Sequence, residues 1–295
     1  MPRASPFPAE TRQLDLFVPQ RGDIAARDAQ DLMAWPFFSL AKSKRVRPID
    51  FRMGEVSILV EATAEHGMAT IWDADVLIWA ASQIVHARDH GLKTSRLMAA
   101  TPFEILTFVG RGSSARDYDR LKAGLDRLQS TTVATSIRQS NERRRHRFSW
   151  INEWKETSDP NGRPHGIELI VPDWFYAGVL DEALVLTIDR AYFTLTGGLE
   201  RWLYRLVRKH GGRQSCGWSF DVAHLHRKSG SLSPLKHFAY DLREIVRRQT
   251  LPGYQLVLER CLRGAERLNF TPIPLDPLTA APRRRALATA SGEKL

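Results

Sequence analysis

The sequence predicts an α+β, helix-rich chain of two tandem winged-helix domains, each a helix-turn-helix followed by a β-hairpin wing. Three observations carry that expectation. An apolar pattern recurs 117 positions apart, with Phe103 to Phe108 (FEILTF) aligning on Phe220 to Leu225 (FDVAHL). Each copy continues through a Gly/Ser-containing turn into a stripe: Tyr118, Leu121, Leu125, Leu128 in the first and Leu235, Phe238, Leu242, Ile245 in the second. Steps of three and four put such side chains on one face of a helix. Behind each stripe come strand-forming runs separated by turn residues, the composition of a hairpin.

Taken in order, residues 1–31 carry Pro2, Pro6, Pro8 and Pro19 with little periodicity, and a disordered arm is expected. Val56, Ile58 and Val60 alternate as in a strand, with Met68–Trp72 as the expected hairpin partner after Gly67. Asp73 opens a helix that Gly91 stops. Thr101-Pro102-Phe103-Glu104 is a helix start, with a capping threonine, a first-turn proline and a glutamate that completes a capping box. Ser113 or Ser114 starts the next helix, and β-branched Thr131–Ile137 follows as a strand. Arg147–Lys155 and Gly166–Val171 are joined by the Asp159-Pro160-Asn161-Gly162 turn. Leu199–His210 is an amphipathic helix, with Leu199, Trp202, Leu203 and Leu206 inward and Gly211-Gly212 as its stop. Ser219 caps the helix carrying Phe220, Val222 and Leu225, and Ser233 with Pro234 opens the helix that ends near Thr250. Tyr254–Glu259 and Arg267–Ile273 make the second wing. The expected divisions are an arm over 1–31, winged helices over 32–172 and 173–274, and a disordered basic tail over 275–295.

Net charge is +10 and the isoelectric point about 9.9, which points to a polyanionic partner. Residues 205–267 hold thirteen Lys/Arg against five Asp/Glu, and 101–158 eleven against seven, so the second unit is expected to carry more of the electrostatic affinity. Cys216 and Cys261 make neither a disulfide framework nor a zinc set. With no secretory apolar segment at the N-terminus and no membrane-length run, a cytoplasmic protein is expected. No cofactor is implied.

The second helix of each pair is expected to face duplex DNA. In the first copy that face offers Arg116, Arg120, Lys122 and Arg127; in the second, Lys236, His237, Arg243, Arg247 and Arg248. Arginine suits bidentate contact with guanine and phosphate. Ser113, Ser114, Ser231 and Ser233 stand where helix N-termini hold phosphates. Arg143, Arg144, Arg145 and Arg147 crowd an expected wing tip, where a polyanion would relieve their repulsion. The plain alternative for each cation is a solvated helix face or loop.

Gln13-Leu14-Asp15-Leu16-Phe17 resembles the short peptide by which bacterial proteins dock on the DNA polymerase sliding clamp. Leu16 and Phe17 would fill an apolar pocket. Alternatively, Leu14, Leu16 and Phe17 fold back onto the first domain.

Enzymatic readings find little support. His224-Leu225-His226 has the spacing of a nickase metal pair, but such a pair needs a strand. Here it falls on an expected helix, where positions two apart diverge by about 200°. Tyr240 and Tyr254 have no residues to place them as its nucleophile. No phosphate-binding loop occurs, and Asp73 and Asp75 read as cap residues rather than a metal pair.

Four segments in order, Met33–Arg45 (MAWPFFSLAKSKR), Trp72–Ala80 (WDADVLIWA), Thr101–Leu106 (TPFEIL) and Gly197–His210 (GGLERWLYRLVRKH), resemble the replication initiator protein A family of bacterial plasmids. The resemblance covers roughly residues 31 to 273. It implies tandem winged helices that bind repeated origin sequences (iterons) in double-stranded DNA and open the origin. It also implies recruitment of the host initiator DnaA and the replicative helicase, monomer and homodimer forms, and often repression of the protein's own promoter. The chief competing expectation is a DNA-binding transcriptional regulator without a replication role.

Overall fold

The computed structural model describes residues 14–20, 22–139, 146–161, 164–212, 214, 217–260 and 264–273. Gln13, Arg143, Arg144, Arg145, both cysteines and the 275–295 tail lie outside the described residues.

The chain enters through β1 (Arg27–Ala29) and α1 (Gln30–Ala34), then forms the hairpin β2 (Ile49–Met53) and β3 (Val56–Ala62). The first winged helix is α2 (Ala74–Asp89), β4 (Leu97–Ala100), α3 (Pro102–Phe108) and α4 (Ala115–Ser130), followed by β5 (Thr131–Thr135), β6 (His146–Ser149), β7 (Glu153–Ser158) and β8 (Pro164–Ile170). A connector of α5 (Asp173–Leu180) and β9 (Val185–Thr187) leads to the second: α6 (Gly198–Gly211), β10 (Trp218–Asp221), α7 (Val222–Ser229), α8 (Leu235–Arg248), β11 (Tyr254–Arg260) and β12 (Glu266–Pro272). The two units share one plan. A helix and a short strand precede the helix-turn-helix, and the wing pairs back on that strand, in sheets ordered β4-β8-β7 and β10-β12-β11.

Local chemistry sets these elements. Thr101 and Glu104 form the capping box of α3, each side chain bonding the other's backbone N–H at 3.2 and 2.9 Å, with Pro102 in the first turn. Ser114 and Asp117 repeat the device on α4, and the bond from Ser114 holds the Asp117 carboxyl below the usual carboxylate range. The repeat proves to be one of buried positions. Ile105 and Phe108 of α3 correspond to Val222 and Leu225 of α7, and Leu121, Leu125 and Leu128 of α4 to Phe238, Leu242 and Ile245 of α8, all within the core. Tyr118 and Leu235 stand at the margin, the latter 44% exposed.

Several expectations are corrected. The chain over 22–31 is built into the protein, because Ile24, Ala26 and Ala29 are buried apolar residues and β1 pairs antiparallel with β9. The partner of β3 is β2, not Met68–Trp72, since Gly54 at φ 56° closes a two-residue hairpin turn. Met68–Trp72 runs instead beside Ser39–Arg45, with the Ser39 N–H donating to the Ala69 carbonyl and the Ile71 N–H to the Ser39 carbonyl, both at 2.9 Å. Ser219 belongs to β10, paired opposite Asn269, and Asp221 takes the N-cap of α7. Ser233 does not cap α8, which begins after Pro234 without a side-chain cap. The strands on either side of the arginine-rich stretch, β5 and β6, pair in a separate sheet ordered β2-β3-β5-β6, whereas the hairpin after the helix-turn-helix that pairs back on β4 is β7–β8.

One apolar core runs through both units. Phe37 and Phe38 pack on Trp150 with ring centroids 5.4 and 5.0 Å apart, and Trp174 of α5 stacks on Phe148 at 5.0 Å. The division expected at 172/173 therefore falls just before a helix that packs back onto α2 and this aromatic cluster. Helix α6 is the hub. Expected to be amphipathic, it is buried nearly all round, including Glu200, Arg201 and Arg205. Its first turn lies so close to the 40s segment that a Cβ on Gly198 would stand 2.0 Å from the Leu40 carbonyl oxygen.

The end of α6 carries a pH-sensitive group. His210 lies against Trp218 and Phe220, with Nε2 buried and without a hydrogen-bond partner among the described residues. Burial, reinforced by Lys209, Lys228 and His224, pushes its pKa down to about 4. The unfolded chain takes up this proton near the ordinary value of 6.5, before the fold can. The contribution to stability is thus complete above pH 6.5 and lost as pH falls toward 4. His210→Leu is expected to flatten urea-midpoint profiles across that window; a slope equal to wild type would refute this.

Candidate nucleic-acid interface

Matching the two helix-turn-helix units by their buried faces shows how unequal their outer faces are. On α8, Lys236, Tyr240, Arg243 and Arg247 recur at steps of four, three and four along the ridge opposite the core, and all are exposed. The corresponding positions of α4 are Asp119, Ala123, Asp126 and Ser130. One ridge is cationic and aromatic, the other acidic.

Several cations expected at the first helix are engaged elsewhere. Arg127 forms a bidentate pair with Asp73, just before α2, at 2.8 and 2.7 Å, and this hydrogen bonding holds the guanidinium above its ordinary range. Lys122 pairs with Glu156 of the wing strand β7 at 2.6 Å. Arg147 pairs with Glu61 at 3.1 Å across the β2-β3-β5-β6 sheet. What remains for a polyanion is the N-terminal end of α4. Ser113 and Arg116 are exposed without a partner among the described residues, and Arg120 is held only by Asp117 at 3.4 Å. Ser114 is occupied as the cap.

The second helix keeps its cations at the surface. Lys236 and His237 are exposed and without a partner among the described residues. Arg243 makes a bidentate pair with Glu266 of β12 at 3.1 and 2.7 Å, and Arg247 leans on Glu244 at 2.7 Å. Arg248 turns aside to Glu200 at 3.0 Å. Ser231 Oγ accepts from the Ser233 backbone at 3.1 Å, and the Ser233 carbonyl meets His226 Nε2 at 2.7 Å, which fixes the turn. Gln249, left-handed at φ 50°, ties the end of α8 to the wing through three bonds of 2.6 to 2.9 Å, two of them to the backbone of Leu256. The wing is thus held in register with the helix.

The family model for Replication initiator protein A matches residues 27–256. The chain belongs to that family. The match begins at the first residue of β1 and ends in β11, so it takes in both helix-turn-helix units of this initiator-family chain. It is 32% identical over 228 residues to a protein of Wigglesworthia glossinidia brevipalpis that carries a provisional replication-protein name, covering 76% of this chain and 82% of that protein. The fold is similar to crystal structures of domains 2 and 3 of RctB. One has a TM-score of 0.59 at 15% identity, covering 79% of this chain and 94% of that one. The other has a TM-score of 0.56 at 15% identity, covering 83% and 97%.

The clamp-like peptide is partly seated on the protein. Phe17 is buried and bridges Met98 of β4 in parallel, its N–H on the Leu97 carbonyl at 2.8 Å and its carbonyl taking the Ala99 N–H at 3.0 Å. Leu16 is 50% exposed. In this arrangement a clamp pocket could receive Leu16 but not Phe17.

His224 and His226 lie on a helix and diverge. His224 stacks on Phe220, while His226 is tied to the α7–α8 turn. No group of three metal-ligating side chains is found among the described residues, and none of their helices is long and apolar enough to cross a membrane.

Sequence reading missed the polar joints that fix the two heads. Asp75 accepts from Arg201 of α6 at 2.7 Å and from Arg111, beyond α3, at 2.9 Å; it is not a cap. Arg205 makes a bidentate pair with Asp28 of β1 at 2.7 and 3.0 Å. That geometry uses both carboxylate oxygens as acceptors, while burial pushes the Asp28 carboxyl above the usual carboxylate range. Burial works against the charge on Arg205, and the carboxylate outweighs it, so the guanidinium sits above its ordinary range. Arg45 donates to the Gly230 carbonyl at the end of α7 at 2.7 Å, and Lys228 lies 3.6 Å over the Trp35 ring. The available signal was the spacing of Arg201 and Arg205 among Trp202, Leu203 and Leu206. Arginines inside an apolar stripe require buried acids.

Proposed function

We propose that this chain initiates plasmid replication by binding repeated sequences (iterons) in duplex origin DNA through both winged helices. The observation that carries the reading is the outer ridge of α8, with Lys236, Arg243 and Arg247 exposed beside a wing that adds Arg260 and Arg267. In a helix-turn-helix this helix enters the major groove, and cations there meet bases and phosphates. The N-terminal end of α4, with Ser113, Arg116 and Arg120, supplies a second, weaker contact suited to phosphates. Bound in this way, the chain would open the origin and recruit the host initiator DnaA and the replicative helicase. Binding at its own promoter would repress it. The role is one of binding and assembly and does not call on an enzymatic site.

A plasmid that carries the candidate origin but lacks its own initiator tests this. Supplying the protein in trans is expected to restore maintenance, and Lys236→Ala with Arg247→Ala to abolish it. If the plasmid is lost while the protein still binds and represses its promoter, the protein is a transcriptional regulator instead.

A further inference from the structure

We infer that Tyr240 reads sequence, by packing its ring on the 5-methyl group of a thymine in the major groove. The inference rests on the duplex-binding role proposed above and assigns one specificity contact within it.

Tyr240 is 61% exposed at the middle of the α8 ridge, one turn beyond Lys236 and one turn before Arg243 and Glu244. Its hydroxyl makes no hydrogen bond among the described residues, and its ring takes no part in the aromatic contacts of the core. The ridge arginines around it are oriented by carboxylates. Arg243 is fixed toward the wing by Glu266, and Arg247 toward Glu244. Two-point pairs hold such side chains along the flanks, where the phosphates run. The exposed groups over the first half of the helix are Leu235, Lys236, His237, Tyr240 and Asp241, and of these Lys236 and Tyr240 lie on the ridge opposite the core. Base edges are met by that part of a recognition helix. Lysine there acts as a point charge, serving phosphate or guanine. The aromatic ring is the one large apolar surface on the ridge, and the thymine methyl is the apolar feature a major groove presents. At the equivalent place on α4 stands Ala123, between Asp119 and Asp126. The aromatic ring is therefore particular to the second head.

The sequence alone offers Tyr240 only as an unplaced nucleophile. Its exposure on the ridge opposite buried Phe238, Leu242 and Ile245 is what the structure adds.

The test is a binding cycle with the full chain and its origin repeat, replacing each thymidine in turn by deoxyuridine, which deletes only the methyl. At one position the wild type is expected to weaken roughly 5- to 20-fold, and Tyr240→Ala to show no further loss there. Tyr240→Phe should behave as wild type, because the ring is kept. Affinity for random duplex and its salt slope should be the same in all three proteins, as no phosphate contact is changed. If no methyl couples to the ring, or if Tyr240→Ala weakens random duplex as much as the repeat, the assignment fails while the duplex-binding role stands. A wild type that does not distinguish repeat from random duplex would overturn both.

Discussion

Asp28→Ala is expected to cost about 3–5 kcal/mol of folding stability, the usual result of removing one partner from a buried ion pair. Asp28 and Arg205 are each only 1% exposed. The variant strands a guanidinium that already has one nitrogen, Nη1, without a partner among the described residues. The loss is a large fraction of the roughly 5–15 kcal/mol that holds a typical domain together. Replacing both residues by apolar ones of similar size, Asp28→Leu with Arg205→Met, should recover most of it, since the desolvation cost disappears along with the attraction. Urea midpoints at constant m-value measure both variants. An Asp28→Ala protein within about 1 kcal/mol of wild type, by the same order-of-magnitude scale, would show that water reaches the pair.

The second large effect concerns how the two heads are held. Asp75 stands in α2 of the first unit and binds Arg201 of α6 in the second. With Gly198 against Leu40 and one core beneath both, the recognition helices are fixed relative to each other. An insertion of half a helical turn, about 5 base pairs, between the two contacted DNA segments is therefore expected to abolish simultaneous contact. Footprinting would then show protection of one segment only. Asp75→Ala loosens the joint and should tolerate the insertion better, at a cost in stability similar to that of Asp28→Ala. If the wild type protects both segments at either spacing, the heads move independently.

What the sequence revealed and what it hid divide along physical lines. The capped helices α3 and α4 and the wing β11–β12 were legible because their signals are local: a capping box, a period, a turn. The repeat was legible as a stripe, yet it reports which residues are buried and says nothing of the opposite face. Only once Leu121 is matched to Phe238 does Asp119 fall opposite Lys236. The β2-β3-β5-β6 sheet was hidden because its central pairing joins strands some seventy residues apart, and no local pattern states a strand's partner. Arg127 and Lys122 read as DNA contacts because a charge on a helix looks the same whether water, a phosphate or Asp73 lies beyond it.

The pairing of β1 with β9 sets an order of events. Arg27 lies opposite Thr187, and Asp28 meets Arg205 further on still. On a ribosome, β1 must wait until β9, some 160 residues later, has been synthesised before it can be zipped in. Until then Ala26, Ala29 and the surface they cover stay open. The first head can assemble its own helices early, but its seam closes only when the second head arrives.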